Sequence, residues 1–593
     1  MKKVLSALIL STTLASAGPA VARSNQQSEA PNIVLILVDD ASFTDLGAFG
    51  GEAQTPNIDA IAEQGMIFSN FHASPLCAPS RAMLLTGLDN HLTGMATIPE
   101  IMPEEHLGQP GYTGNLQPGV TTVAERLDDA GYRTYMTGKW HLGHGEGDLP
   151  NSHGFDHSFV LDAFGGDHYT ERPHSPIFES TQWYEDGEPT SIPDDFYSSE
   201  DLVDKMIAYI DQEAGSNDPF FAYVGFLAVQ RPIQVPPEFT EKYIDTYQDG
   251  WETLHHERWK RAQSLGLIPK NAPLAEFPKT LRAWDDLTAA EQTFAVKQMA
   301  SYAGMLEAMD YHFGRLISHL KETGEYANTI FIIASDNGPE GGANWDSGLY
   351  RTWASLTGYT YDFETMGERG SYNEIGPEWA IASASPTSLF KSYASEGGIR
   401  VPLIITGPGI EAGAMTDAFS FITDITPTML DLAGVSYKSQ EMTGLSLRPL
   451  LHGELAEIYG EDDVIGMEVS GNAALYKGNW KITRNQPPWG DAEWRLYNIS
   501  ADPGETYDLT LTHPDIYQDL VGEYDAYAAE MGVLDLPEGY SAAAVGAGRA
   551  IQTLLQIYWW FFALVIGGVV ILLFGLYRWG LRPLFRSLLK TAN

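Results

Sequence analysis

Two pairs of oxygen-bearing side chains are the first candidates for chemistry in this sequence. Asp39-Asp40 directly follows an apolar run at 32–38, and Asp336-Asn337 comes just after a second run at 329–334. Carboxylate and amide oxygens, with no histidine or cysteine beside Asp336, suit Ca²⁺, or less well Mg²⁺, rather than Zn²⁺. Two adjacent aspartates alone are more often a helix cap or a solvated turn, but both pairs here end strongly apolar runs. The sequence therefore predicts a hard-cation site.

A single cysteine is the second candidate. Cys77 is the only cysteine among 593 residues, so an intrachain disulfide is impossible. A lone thiol is ordinarily a small buried hydrophobe. In a protein that also carries an export signal, one unpaired cysteine needs an explanation.

The charge balance restricts the kind of partner. The chain has 35 basic and 78 acidic residues, a formal net charge of −43. Nucleic acid is excluded as a partner because phosphate binding requires a basic surface. An anionic substrate would be repelled at long range, so an anion site in this chain needs its own local cations.

The elements that must position these groups alternate along the chain. Continuous apolar runs at 32–38, 220–226 and 329–334 indicate strands buried on both faces. Strands that alternate with helical patterns predict an α/β domain, over residues 30–454, with a mostly parallel sheet between helices. Ligands of such sheets bind at the carboxyl ends of the strands. We therefore expect the two acidic strand ends to share one rim.

The remainder of the chain predicts a small domain and targeting segments. Short strands over residues 455–540 indicate a smaller antiparallel, α+β domain, and 541–556 is typical of a flexible linker. Residues 1–22 have the pattern of a signal peptide. Residues 557–577 are apolar, flanked by aromatic residues and followed by a basic tail at 578–593, which predicts a transmembrane helix with a cytoplasmic C-terminus. Together these segments predict a single-pass protein on the periplasmic face of the inner membrane.

Two longer motifs carry a family resemblance. Residues 77–87, CAPSRAMLLTG, resemble the signature of type I sulfatases, C-x-P-S-R followed by L-T-G, in which the cysteine is converted to formylglycine. Residues 131–143, which include Gly138-Lys139-Trp140-His141, are similar to the second signature of that family. The likeness runs from about residue 30 to 535, is nearest to the bacterial arylsulfatases, and implies an alkaline-phosphatase-like fold.

The resemblance also implies which residues act. It implies catalytic roles for Cys77, Arg81, Lys139, His141 and Lys391, substrate contacts from Lys139, Lys391 and Gln230, and metal ligation by Asp39, Asp40, Cys77, Asp336 and Asn337. In that scheme formylglycine hydrates to a gem-diol, and one hydroxyl attacks sulfur in line. The alcohol leaves, His141 takes a proton from the second hydroxyl, and sulfate is expelled. The implied partners are a sulfate ester, with aryl sulfates as the expected substrates, and a system that matures Cys77.

One position departs from the family pattern. Family members carry a histidine in a P-H-x-P context after the 220–226 strand, where this chain has Gln230 followed by Arg231-Pro232. Glutamine can hydrogen-bond a sulfate oxygen but cannot donate a proton as an acid, which leaves Lys391 as the remaining proton donor. We therefore expect activity to survive on aryl sulfates and to fall on unactivated alkyl sulfates. His168 is the first histidine to examine as a substitute.

Two alternatives remain open from the sequence. The first is a phosphonate or phosphate ester hydrolase of the same superfamily, although a two-zinc phosphatase would need histidines that do not accompany Asp336-Asn337. The second is an inactive membrane protein that binds sulfate esters, which Gln230 suggests.

Overall fold

The protein is described by a computed structural model that covers residues 30–145, 147–212, 215–342 and 347–576. The predicted signal peptide at 1–22 and the basic tail at 578–593 lie outside the described residues. The strands are β1 (Asn32–Val38), β2 (Met66–Phe68), β3 (Phe71–His72), β4 (Arg133–Lys139), β5 (His157–Leu161), β6 (Trp183–Glu185), β7 (Glu188–Thr190), β8 (Phe220–Gly225), β9 (Thr329–Ser335), β10 (Leu403–Thr406), β11 (Ala414–Thr416), β12 (Ser420–Phe421), β13 (Val464–Val469), β14 (Asn472–Lys477), β15 (Trp480–Arg484) and β16 (Arg495–Asn498).

The α-helices lie mainly between these strands. They are α1 (Pro56–Glu63), α2 (Cys77–Thr86), α3 (Asn90–Thr93), α4 (Val123–Asp129), α5 (Ser198–Gln212), α6 (Pro237–Thr240), α7 (Gly250–Leu265), α8 (Ala289–Thr323), α9 (Gly348–Leu356), α10 (Gly376–Ala384), α11 (Glu396–Ile399), α12 (Ile425–Leu432), α13 (Arg448–Leu451), α14 (Pro514–Met531) and α15 (Ala542–Leu576).

A ten-stranded sheet forms the centre of the molecule, in the order β11-β2-β10-β9-β1-β8-β4-β5-β6-β7. The five strands β9, β1, β8, β4 and β5 run parallel, and antiparallel pairs lie toward both edges. The side chains of β1 alternate between two apolar cores, with Val34 and Ile36 on one face and Ile33 and Leu35 on the other. Burial on both faces explains why this strand is continuously apolar. The α/β class and the large, helix-covered sheet agree with the sequence prediction.

A second, four-stranded antiparallel sheet follows in the order β13-β14-β15-β16. Helix α14 covers it, with Leu520 and Tyr524 packed against Leu475 and Ile482. This sheet lies in the region where the sequence analysis expected a smaller domain.

The C-terminal prediction of a membrane-spanning helix is wrong. Among the described residues, no helix combines the length and the apolar character that crossing a bilayer demands. Helix α15 begins at Ala542, within the expected linker, and its backbone is non-helical at Tyr558 (φ −107°, ψ 17°), so two helical segments meet there at a kink. The single-pass location at the inner membrane depended on this span and is corrected with it.

Candidate active site and metal centre

The two acidic strand ends meet because their strands are parallel neighbours. Val38 of β1 pairs in register with Ser335 of β9, so the residues that follow these two strands leave the sheet side by side. The amide nitrogen of Asp40 donates a hydrogen bond to Asp336 Oδ1 at 3.2 Å. The side-chain Nδ2 of Asn337 donates a hydrogen bond to Asp40 Oδ1 at 2.7 Å. Asp40 adopts φ +65°, a left-handed conformation that is uncommon outside glycine and is concentrated at functional sites.

Cys77 lies against this acidic rim at the first position of α2. Its Sγ is 3.6 Å from Asp39 Oδ1 and 3.9 Å from Asp40 Oδ1. Burial raises the pKa of the thiol well above its ordinary value. An unmodified thiol would therefore stay protonated and be a poor nucleophile, since the thiolate is the reactive form.

Arg81 follows Cys77 by one helical turn and points to the same rim. Its Nε and Nη2 donate to Asp336 Oδ2 at 3.0 and 2.9 Å. Its Nη1 donates to the carbonyl oxygen of Lys139 at 2.8 Å. The guanidinium is completely buried, which is tolerable because it is paired with a carboxylate and fully hydrogen-bonded.

Two lysines complete the positive charge of the site. Lys139, the last residue of β4, places Nζ 2.5 Å from Asp39 Oδ2. Lys391 comes from the loop before α11 and places Nζ 2.6 Å from Asp40 Oδ1. Burial raises the pKa of Asp40, but Lys391 and Lys139 outweigh this effect and hold it below its ordinary value.

The small sheet supports the loop that carries Lys391. Lys481 of β15 contacts Glu396 at 2.9 Å and Glu505 at 2.7 Å. Glu505 in turn accepts a hydrogen bond from Ser388 Oγ at 2.6 Å, three residues before Lys391. These buried pairs tie both ends of the loop to the second sheet, so the position of Lys391 depends on that sheet.

The oxygen atoms at the rim fit a divalent cation. One ligand atom each from Asp39, Asp40, Cys77 and Asp336 lies within 4.8 Å of the others. Asp40 Oδ2 and Asn337 Oδ1 are buried and have no hydrogen-bond partner in the described part of the chain. Burial, with repulsion from Asp336 and Asp40, raises the pKa of Asp39 to about 8. A cation would satisfy the orphaned oxygens and relieve the repulsion among three carboxylates.

His141 lies beside a carboxylate that the sequence analysis missed. Its Nε2 is 3.5 Å from Glu100 Oε2, and both side chains are buried. Burial lowers the pKa of His141 to about 4 against the opposing attraction of Glu100. The imidazole is therefore neutral near pH 7, the form in which it can accept a proton. It follows Lys139 by two residues and adopts φ +58°.

Gln230 is buried in the segment after β8, and its Oε1 has no hydrogen-bond partner among the described residues. The sequence candidate for a substitute, His168, is not free: Nδ1 lies 2.7 Å from Ser198 Oγ and Nε2 lies 3.2 Å from the carbonyl oxygen of Gln230. A different histidine, His174, faces the space that Gln230 faces. Both approach Gly165, where an added Cβ would meet Gln230 Oε1 at 1.9 Å and His174 Nε2 at 3.2 Å.

Comparison with known proteins identifies the family. The sulfatase family model matches residues 31–435. The chain belongs to the sulfatase family. An uncharacterized sulfatase of Schizosaccharomyces pombe is 35% identical over 88% of this chain and 98% of its own length. The arylsulfatase of Klebsiella aerogenes is 36% identical over 69% of this chain and 88% of its own length.

Solved sulfatase structures share the fold. The complex of Ps i-CgsB with k-i-k-neocarrahexaose has a TM-score of 0.60 at 22% identity and covers 84% of this chain and 93% of its own. BT4656, solved with its substrate D-glucosamine-2-N,6-O-disulfate, has a TM-score of 0.58 at 22% identity and covers 86% of this chain and all of its own. As a sulfatase, the protein is a sulfuric ester hydrolase. Membership implies a bound metal ion and a formylglycine, in keeping with the buried cluster around Cys77.

Proposed function

We propose that this sulfatase hydrolyses aryl sulfates with formylglycine derived from Cys77 and one Ca²⁺ ion. The observation that carries the proposal is the convergence of Cys77 Sγ on Asp39 and Asp40 at 3.6 and 3.9 Å, with two lysines on the same two carboxylates. The carboxylates would hold the cation, and the lysines would then be available to an anionic substrate.

Calcium is favoured over magnesium by the character of the ligands. Asp39, Asp40, Asp336 and Asn337 offer oxygens from fully buried side chains. Magnesium loses its water shell reluctantly and usually keeps several waters, whereas calcium accepts a set of protein oxygens of variable geometry. When bound, the cation and the formylglycine would supply an oxygen nucleophile at neutral pH and stabilise its charge.

The remaining residues would bind the sulfate group and move protons. Arg81, fixed on Asp336, would hold the nucleophile oxygen beside the cation. Lys139 Nζ and Lys391 Nζ would donate to sulfate oxygens, since stabilisation of developing charge by fixed donors is generally a large part of catalysis. His141, neutral and buried beside Glu100, would act as the base in the step that releases sulfate.

Gln230 supports the preference for aryl esters. An amide cannot supply a proton to the leaving oxygen. A phenolate tolerates this loss because it is already stable as an anion, while an alkoxide does not. The loss of a general acid commonly costs about 10²–10⁴ in rate.

The test combines mass and activity. The peptide that carries Cys77 should have the mass of the aldehyde, made in the host by a maturation system, and the purified protein should release 4-nitrophenol from 4-nitrophenyl sulfate. Cys77→Ala should abolish release. Conversion without any turnover of sulfate esters would refute the proposal, and faster turnover of the matching phenyl phosphonate ester would reassign the substrate class.

A further inference from the structure

His174 is a buried histidine whose ring makes aromatic contacts but no hydrogen bond within the described part of the chain. Its side chain is fully buried, and neither ring nitrogen has a hydrogen-bond partner among the described residues. Two other buried histidines are hydrogen-bonded: His91 contacts Asp89 and Glu468, and His255 donates to the carbonyl of Ala275. Leaving a buried imidazole unpaired costs free energy, so such a group calls for a functional explanation.

The backbone holds His174 firmly in place. Its carbonyl oxygen accepts hydrogen bonds from Tyr350 Oη at 2.7 Å and from Tyr372 Oη at 2.9 Å. Three residues later, the carbonyl of Ile177 accepts a hydrogen bond from Thr553 Oγ1 of α15 at 2.9 Å. The unpaired ring is thus a fixed feature on an anchored segment, which is what a preorganised donor requires.

The ring of His174 borders the active site. Phe164 packs against both histidines, with its ring centroid 4.3 Å from that of His174 and 6.0 Å from that of His141. The Nε2 atom of His174 approaches Gly165, and any larger residue there would collide with Gln230 Oε1. The glycine therefore lets His174 Nε2 and Gln230 Oε1 face one small space next to the catalytic residues.

The charges around His174 keep its ring neutral. Burial, with the positive charges of Arg231, Lys139 and Lys391, holds the pKa of His174 well below its ordinary range. Arg231 is itself paired with Glu340 at 3.7 Å and Glu374 at 3.6 Å. A neutral imidazole still has one N–H to donate. It can stabilise an oxygen that gains negative charge without first acquiring a proton.

We propose that His174 is a catalytic residue that donates a hydrogen bond from Nε2 to the ester oxygen of the substrate. It would do so beside Gln230, whose amide cannot act as a general acid. The bond from sulfur to the ester oxygen breaks as the bond from sulfur to the nucleophile oxygen forms, and the electron pair stays on the ester oxygen. The His174 N–H stabilises that charge without transferring its proton. A phenolate then leaves and takes a proton from solvent. The inference rests on the proposed aryl sulfatase activity.

The test varies the leaving group. His174→Leu keeps a side chain of similar size but removes the donor, while His174→Gln keeps an N–H. For His174→Leu we expect kcat/KM to fall about tenfold on 4-nitrophenyl sulfate and about 100-fold on phenyl sulfate, because the hydrogen bond matters more as charge on the ester oxygen increases. His174→Gln should recover part of both losses. His312→Leu is the matched control, since His312 is also mostly buried and burial also lowers its pKa, in this case to about 4, but it contacts Tyr197, Tyr311 and Arg315.

A binding measurement provides a readout besides activity. Inorganic sulfate, titrated calorimetrically in the presence of Ca²⁺, should bind His174→Leu about tenfold more weakly than the parent. Equal losses on both esters, or unchanged sulfate affinity, would show a structural role and overturn the inference. If His174→Leu does not fold by circular dichroism, His174→Gln decides the question through the same two measurements. A parent protein that neither binds sulfate nor hydrolyses either ester would refute the proposed function, and this inference with it.

Discussion

Replacing Glu100 by glutamine tests whether this carboxylate helps His141 act as a base. Glu100 Oε2 and His141 Nε2 are 3.5 Å apart, and both side chains are buried. At an effective dielectric constant of about 20, unit charges at that separation attract by about 5 kcal/mol. Roughly half of this acts on a transition state in which the proton is half transferred. Glu100→Gln should therefore raise the barrier by about 2.4 kcal/mol and lower kcat about 50-fold.

The pH dependence should move in a defined direction. Burial lowers the pKa of His141 to about 4, and Glu100 opposes that shift by favouring the charged imidazolium. Removing the carboxylate lowers the pKa further. Since the base acts in its neutral form, the acid limb of kcat in Glu100→Gln should lie at lower pH than in the parent.

The assay follows 4-nitrophenol release by rapid mixing and at steady state. If His141 serves the step that releases sulfate, Glu100→Gln should show one fast equivalent of phenol followed by slow turnover. The control is Glu468→Gln, which removes a carboxylate 2.9 Å from Nε2 of a different buried histidine, His91. We expect this control to affect stability rather than kcat. A Glu100→Gln enzyme with a kcat within threefold of the parent, or with an acid limb at higher pH, would refute the reasoning.

Three further predictions concern other parts of the site. Gln230→His should increase kcat/KM on an alkyl sulfate by about tenfold or more while changing aryl sulfates little, and equal gains on the two would contradict the leaving-group argument. Removal of the cation with a chelator should abolish turnover. Ca²⁺ at about 100 times its Kd should restore turnover and should stabilise the folded protein by about 2.7 kcal/mol in thermal melts. Restoration of turnover by Zn²⁺ alone would contradict the assignment of the metal ligands. Arg549→Ala with Tyr540→Phe removes hydrogen bonds to the carbonyls of Met102 and Ile101, the two residues that follow Glu100, so kcat should fall severalfold without loss of folding. An unchanged kcat would show that the C-terminal segment does not help to position Glu100.

The features that sequence predicted are those set by local pattern and by sheet geometry. The apolar runs of β1 and β9 identify buried parallel strands, and parallel strands bring Asp39 and Asp336 to one rim without further information. Arg81 comes four residues after Cys77, so a helix over this segment places both side chains at the same rim. The family motifs then indicate which loops reach this rim.

The features that sequence missed depend on contacts between distant segments. Glu100 meets His141 across 41 positions, and nothing in its own turn distinguishes it from the other acidic residues of a strongly acidic chain. The sequence makes His168 the first histidine to examine as a substitute, yet its ring nitrogens contact Ser198 Oγ and the carbonyl oxygen of Gln230, whereas His174 lies on an irregular segment with no periodic signal. The apolar composition of 557–577 predicted a span, but composition does not reveal the break at Tyr558 or the packing of the preceding turns against the catalytic domain.

The charges at the site explain how a chain with a net charge of −43 can bind an anion. At physiological salt the screening length is about 8 Å, so distant surface acids contribute little inside a buried site. Within the site, the cations of Arg81, Lys139 and Lys391 are paired with Asp336, Asp39 and Asp40. A divalent cation added to these pairs leaves an excess of positive charge and competes with the two lysines for their carboxylates. Sulfate should therefore bind much more weakly without Ca²⁺ than with it, and equal sulfate affinity in calorimetric titrations of the calcium-free and calcium-loaded protein would show that the excess charge does not come from the cation.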